Sequence, residues 1–275
     1  MFCLNYNGPR VAPYLEEVNQ IKINRDRLDD ETLEEFFEQN QDKHIYIDVS
    51  GAPDIIKEKD KVIRLQGLMK YNNWTLQVPF NDYTMFDNIK LKAIKDLCPR
   101  FMFTDGAYSW EMLDVMLSFE PSEVYITGFL GFCLERVKRV CDKHGVKIRA
   151  YANLAQTEFP GLNKNVLKTF FVRPEDVWLY KDYIHGIEFV GDEKQQVVFY
   201  GVYKRGYWYG NLAELIIDFN EDIDSRKLPQ QFGELRYNCG KRCISGGVCT
   251  ACKTVREFHE IMDKTNTIVK PHGNN

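Results

Sequence analysis

Four cysteines fall within fourteen residues, Cys239, Cys243, Cys249 and Cys252, in the stretch CGKRCISGGVCTAC. The spacing is C-x3-C-x5-C-x2-C. Thiols this close suit one metal ion or one small cluster, and Gly240, Gly246 and Gly247 allow the backbone to turn four sulfurs toward one point. The C-x2-C pair at Cys249 and Cys252 points to zinc, with an iron–sulfur (4Fe-4S) cluster as the alternative. The C-x3-C-x2-C pattern of radical enzymes is absent, because the second gap here is five residues. His259, seven residues beyond Cys252, is a further nitrogen ligand in reach, but four thiols already complete a tetrahedral site.

A second set of chemistry-bearing residues stands at the ends of apolar runs. Asp48 follows IYI, Asp105 follows FMFT, Asn153 closes RAYAN, Arg173 follows FFV and Glu188 lies within IEF. In an α/β barrel the active site lies at the C-terminal ends of the strands. If these runs are barrel strands, Asp48, Asp105, Asn153, Arg173 and Glu188 converge on one mouth. Carboxylates beside an arginine bind and polarise a small anionic ligand or share acid–base work. Asp and Asn at such positions also cap helices and make turns, so each has a structural role open to it. Asp105 and Arg173 carry the strongest expectation: Asp105-Gly106 turns sharply, and a charge directly after Phe170–Val172 needs a partner.

The elements that must position these residues alternate from about residue 20 to residue 190. Strand-like runs occur at Ile21–Ile23, Ile45–Val49, Thr75–Phe80, Phe101–Thr104, Val124–Thr127, Val146–Tyr151, Phe170–Arg173 and Ile187–Val190. Helical periodicity lies between most of them. DDETLEEFFEQN carries an N-cap at Asp29 or Asp30, and FCLERVKRVCDKHG stops at Gly145. Eight strands alternating with helices predict a parallel sheet, closed as a (βα)8 TIM-barrel-like fold, with an open doubly wound sheet as the alternative. After residue 192 the pattern changes. QQVVFYGVYKRGYWYG and LAELIIDF read as a strand pair, followed by the cysteine cluster and a terminal helix over about 252–265. The expected organisation is therefore a barrel over 1–192 and a C-terminal extension with a four-cysteine module over 193–275.

RGYWYG, residues 205–210, places Tyr207, Trp208 and Tyr209 beside Arg205, and Lys241, Arg242, Lys253 and Arg256 flank the cysteines. Aromatics with adjacent cations stack on bases, although a twisted strand pair shows the same pattern. The formal net charge of -4 argues against coating nucleic acid by bulk charge. Hydrophobic residues make up 44% and charged residues 28% of the 275. No apolar run reaches the roughly 20 residues a membrane span requires, and MFCLNYNGPR lacks the apolar core of a signal peptide. A cytoplasmic location is expected, and Cys3, Cys98, Cys133 and Cys141 fit it as scattered thiols. No phosphate loop, zinc-protease helix motif or serine-hydrolase elbow is present.

The segment EVYITGFLGFCLERVKRVCDKHGVKIRAYANLAQTE, residues 123–158, resembles the collagenase-like peptidase family of TIM barrels, as does FFVRPEDVWLYKDYIHGIEFVG. Members of that family act in RNA hydroxylation, quinone hydroxylation and peptide degradation, and several carry a four-cysteine iron–sulfur cluster. Their cluster cysteines are more dispersed than these, so no catalytic residue is carried over. TDGA, residues 104–107, resembles the catalytic strand end of the tRNA-guanine transglycosylases, whose zinc spacing differs. The resemblance implies an enzyme modifying RNA or a small metabolite at the barrel mouth. The rival expectation is a non-catalytic interaction or scaffold protein stapled by structural zinc.

Overall fold

QIKIN, HIYID, EVYI and KIRAY alternate polar with apolar residues, which places the two kinds on opposite faces of a strand. The computed structural model describes residues 1–6, 8–50, 55–80, 88–155, 169–219, 223–228, 232–237 and 257. These runs are strands of one closed, all-parallel barrel. Its strands are β1 (Phe2–Asn5), β2 (Gln20–Asn24), β3 (His44–Asp48), β4 (Trp74–Val78), β5 (Phe101–Ala107), β6 (Glu123–Ile126), β7 (Lys147–Tyr151) and β8 (Gly186–Glu188). Each pairs with the next, and β8 closes on β1 through Phe2–Ile187 and Cys3–Glu188.

The helices between strands are α1 (Leu33–Gln39), α2 (Lys59–Leu68), α3 (Asn88–Leu97), α4 (Trp110–Ser118), α5 (Leu134–Lys143) and α6 (Val177–Tyr180). Helix α7 (Glu193–Arg205) follows β8. A 3-10 turn, Ala12–Glu17, joins β1 to β2. The outward residues Ile21, Ile45, Trp74, Leu76, Phe103, Val124, Ile148 and Ile187 are buried in one apolar layer shared with helix residues such as Phe37, Leu65, Leu113 and Val137. Helix ends follow local chemistry. Ser109 Oγ accepts from Met112 N–H at 3.2 Å to start α4. Gly145, at φ 68°, takes the left-handed position after His144 closes α5, as the sequence predicts.

The strand count is as expected, but its membership differs. FCLN forms β1, and Phe170–Arg173 is not a barrel strand. Phe170 instead stacks edge-on against Phe132 and Tyr180. Val172 N–H donates to Ala152 O just past β7. This run is buried connector, and burial alone accounts for its apolar composition. The expected strand pair after residue 192 is also corrected. QQVVFYGVYKR lies in α7, opened by a reciprocal cap in which Asp192 accepts from Gln195 N–H at 2.8 Å and Gln195 accepts from Asp192 N–H at 2.9 Å. Phe199, Tyr200, Val202 and Tyr203 form its buried side, and Tyr200 and Tyr203 meet Phe2 of β1. Residues 193–205 therefore pack on the barrel itself. LAEL forms a further short helix, α8 (Leu212–Leu215), and α9 (Phe232–Tyr237) follows. Cys239, Cys243, Cys249, Cys252 and the expected terminal helix lie outside the described residues. Among the described residues no helix is long and apolar enough to cross a membrane.

Candidate functional site

The inner face of a (βα)8 barrel is usually packed with branched aliphatic side chains. Here it is polar. Cys3, Gln20, Lys22, Tyr46, Asp48, Gln77, Met102, Glu123, Tyr125, Arg149, Tyr151 and Glu188 alternate with the apolar outward residues along their strands. Helices cover the outer face, so the polar set has nowhere to go but the lumen.

Toward the N-terminal end of the barrel, Arg149 organises the interior. Its Nη1 donates to Gln20 Oε1 at 3.0 Å and to Glu123 Oε2 at 3.2 Å. Its guanidinium carbon lies 4.0 Å from the centroid of the Tyr46 ring, and Tyr46 O–H donates to the Glu123 carboxylate at 3.0 Å. Gly186 makes room for it: a Cβ there would meet Arg149 Nη1 at 2.4 Å. The neighbouring His44 ring nitrogen shares a hydrogen bond with Thr75 Oγ1 at 2.8 Å, and burial lowers its pKa from 6.5 to about 4.

Toward the C-terminal mouth stands Lys22. Its ammonium lies 2.6 Å from Glu188 Oε1 and 2.9 Å from Asp48 Oδ2. Burial by itself would lower the lysine pKa, but the charges of Glu188 and Asp48 outweigh it and hold the amine protonated. Asp48 behaves in the same way. Burial would raise its pKa, yet Lys22 and the Ser50 N–H, which donates to Oδ1 at 2.9 Å, hold it below the usual carboxylate range. The Lys22 and Asp48 side chains keep 10% and 14% of their surface, against 2% for Glu188, so the first two are the more accessible. Behind them Tyr125 donates its hydroxyl proton to Glu188 Oε2. Tyr151 stacks on Tyr125 with centroids 4.4 Å apart and donates to Thr104 O at 3.2 Å. Burial pushes both phenols up, so neither ionises near neutrality.

Of the five residues expected at the mouth, the structure brings Asp48 and Glu188 together on Lys22. The others engage elsewhere. Asp105 Oδ2 accepts from Phe80 N–H at 2.6 Å. Asn153 makes two hydrogen bonds with the backbone of Val190, both at 2.8 Å, tying together the loops after β7 and β8. Arg173 finds its partner three residues on, forming a two-pronged pair with Asp176 at 2.6 and 2.8 Å under the Phe232 ring. Its expected place at the C-terminal end of a barrel strand is therefore corrected, because its segment is not a strand. Lys22, Tyr125, Tyr151, Gln77 and Arg149 were missed. Their signal was polar alternation in strands whose other face must bear helices.

Cys3, Cys98 and Cys141 are buried thiols pushed by burial up to about 12, so they are poor nucleophiles and poor ligands. Among the described residues no group of three or more His, Cys, Asp and Glu stands together as a metal site.

In comparison with known proteins, no family profile matches the chain, and no curated protein matches it. Similar solved structures include orotidine 5'-monophosphate decarboxylase from Sulfolobus solfataricus, at 10% identity over 74% of this chain and 98% of that one, with a TM-score of 0.40. Another is Klebsiella pneumoniae BlrP1 in a calcium and cy-diGMP complex, at 16% identity over 49% of this chain, with a TM-score of 0.33. This chain spans 39% of the length of BlrP1.

Proposed function

We propose that the protein is an enzyme acting on a small metabolite at the barrel mouth, with Lys22, Asp48 and Glu188 as its reaction centre. The observation that carries this reading is the Lys22 ammonium held at 2.6 and 2.9 Å between two carboxylates toward the C-terminal end of the barrel. A charged cluster in a barrel lumen is a poor stabiliser, because apolar residues of the same volume serve as well or better. Its retention at the end of the barrel where (βα)8 enzymes work favours chemistry over scaffolding.

The protonation states define roles. Lys22 is held as an ammonium with its pKa raised, so it stabilises negative charge developing on the substrate and neither gives up its proton readily nor acts as a Schiff-base nucleophile. Asp48, the more open carboxylate, is the proton acceptor. Glu188 orients Lys22 and is itself held by Tyr125. RNA is a second reading of the substrate, favoured by the exposed Tyr207 and Tyr209, whose rings lie 4.8 Å apart beside Arg205. A metal centre on Cys239, Cys243, Cys249 and Cys252, zinc ahead of iron–sulfur, is part of the proposal and rests on their spacing. Metal quantification on protein purified without oxygen tests it: stoichiometric metal kept after two of these thiols are replaced would refute it.

The function is tested by incubating purified protein with a cellular metabolite extract and following the extract by mass spectrometry. A compound consumed by the wild type and spared by folded Lys22→Met and Asp48→Asn variants supports the reading. Equal consumption by all three, or none by any, removes it.

A further inference from the structure

Resting on the mouth as the reaction centre, we infer that the ligand it takes is a small organic cation carrying N–H donors, a primary amine before all, and not a phosphate or carboxylate. Charge comes first. The described lumen holds two cations, Lys22 and Arg149, against three carboxylates, Asp48, Glu123 and Glu188, so two minus three leaves -1. Arg149 lies 3.2 Å from Glu123 and 3.8 Å from Glu188, so Glu188 is shared between the two cations. Among the described residues the uncompensated charge therefore falls to Asp48 at the mouth, which pairs with Lys22 while Lys22 also serves Glu188. One further positive charge closes the balance, whereas an anion doubles the deficit in a partly desolvated site.

Hydrogen-bond valence points the same way. Tyr125 has one proton and gives it to Glu188. Gln77 must therefore meet the Tyr125 oxygen with its Nε2, which it does at 3.1 Å. That fixes the amide orientation and leaves Gln77 Oε1 accepting from no group among the described residues, although Gln77 is fully buried. Gln77 is the register partner of Asp48, so this free acceptor stands at the level of the carboxylates. Asn5 Oδ1, on the strand beside Lys22, is a second buried acceptor without a donor among the described residues. Among the described residues the one strong donor at the mouth is Lys22, and it already serves two carboxylates. Two buried donors, Arg149 Nε and Nη2, also lack a hydrogen-bond partner among the described residues, but deeper in the barrel. At the level of Lys22 and Asp48 the unpaired groups are acceptors, which a ligand carrying N–H donors satisfies and a ligand of acceptors does not.

The test is calorimetric titration of the whole protein, at constant ionic strength, with methylammonium and ethylammonium, with tetramethylammonium as a cation lacking N–H donors, and with phosphate and acetate. The proposal expects saturable binding of the primary ammonium ions, weaker binding of tetramethylammonium, and about tenfold or greater loss of affinity in Asp48→Asn. Should that variant fold poorly, ring-labelled tyrosine spectra of the wild type serve instead: methylammonium should shift the Tyr125 and Tyr151 signals saturably. Binding of phosphate or acetate that disappears in Lys22→Met would overturn the amine class while leaving the mouth as the reaction centre. No binding of any probe, with the tyrosine signals unmoved, would overturn the amine class; the metabolite experiment judges the reaction centre separately.

Discussion

Lys22 and Glu188 are 166 residues apart in the chain, and their side chains meet at 2.6 Å inside the barrel. They come from β2 and β8, the two strands that flank β1, so their contact exists only when the barrel closes over Phe2–Asn5. The proposed reaction centre and the closure of the fold thus share the same seam.

Replacing Lys22 with Met should expose that coupling. It leaves Asp48 without a cation and Glu188 with only the Arg149 guanidinium 3.8 Å away, and stranding buried charge costs about 3–5 kcal/mol. Urea unfolding at neutral pH should register this loss. Adding Glu188→Gln to the variant should recover part of it, because one stranded charge goes. If the double variant is less stable than Lys22→Met, the pairing seen here does not govern stability.

His44 should give the protein an acid-sensitive limb. Its pKa falls from 6.5 to about 4 on folding, so the unfolded chain takes up the proton first. Stability from this group is present above pH 6.5 and is lost as pH falls toward 4, by up to about 3 kcal/mol. Melting curves across that range should flatten in His44→Gln, which keeps a polar group facing Thr75. An unchanged slope would count against burial of a neutral imidazole.

Gly186 should tolerate no side chain. A Cβ would sit 2.4 Å from Arg149 Nη1 and 2.7 Å from Gln20 Oε1. Gly186→Ala is expected to destabilise by about 1–3 kcal/mol through overpacking. The penalty should shrink in an Arg149→Lys background, where the clashing guanidinium nitrogen is gone. Additive effects in the four-variant cycle would show that the two positions do not touch.

Arg173→Ala should act on stability and not on the mouth. The change strands the Asp176 carboxylate, which keeps only 4% of its surface, at a cost of about 3–5 kcal/mol. Methylammonium titration of the folded variant should match the wild type. A large fall in affinity without loss of stability would return Arg173 to the site.

The chain order of strands and helices was largely legible because each rests on local signals. Polar alternation in QIKIN and HIYID, apolar spacing in FCLERVKRVCDKHG and the glycine stop at Gly145 act within a few residues. Where two structures satisfy the same local pattern, only packing chose between them. FFV is apolar enough for a strand but is buried as a connector by Phe132 and Tyr180. QQVVFYGVYKR has the β-branched and aromatic residues of a strand, yet the Asp192–Gln195 cap and a single buried side make it a helix on β1. FCLN is too short to announce itself and is a strand because β2 and β8 both need a neighbour. The site divides in the same way. Asp48 and Glu188 were readable as polar residues ending apolar runs. That a lysine from β2 stands between them follows from barrel closure, since a contact across 166 residues is set by the register of strands and not by spacing along the chain.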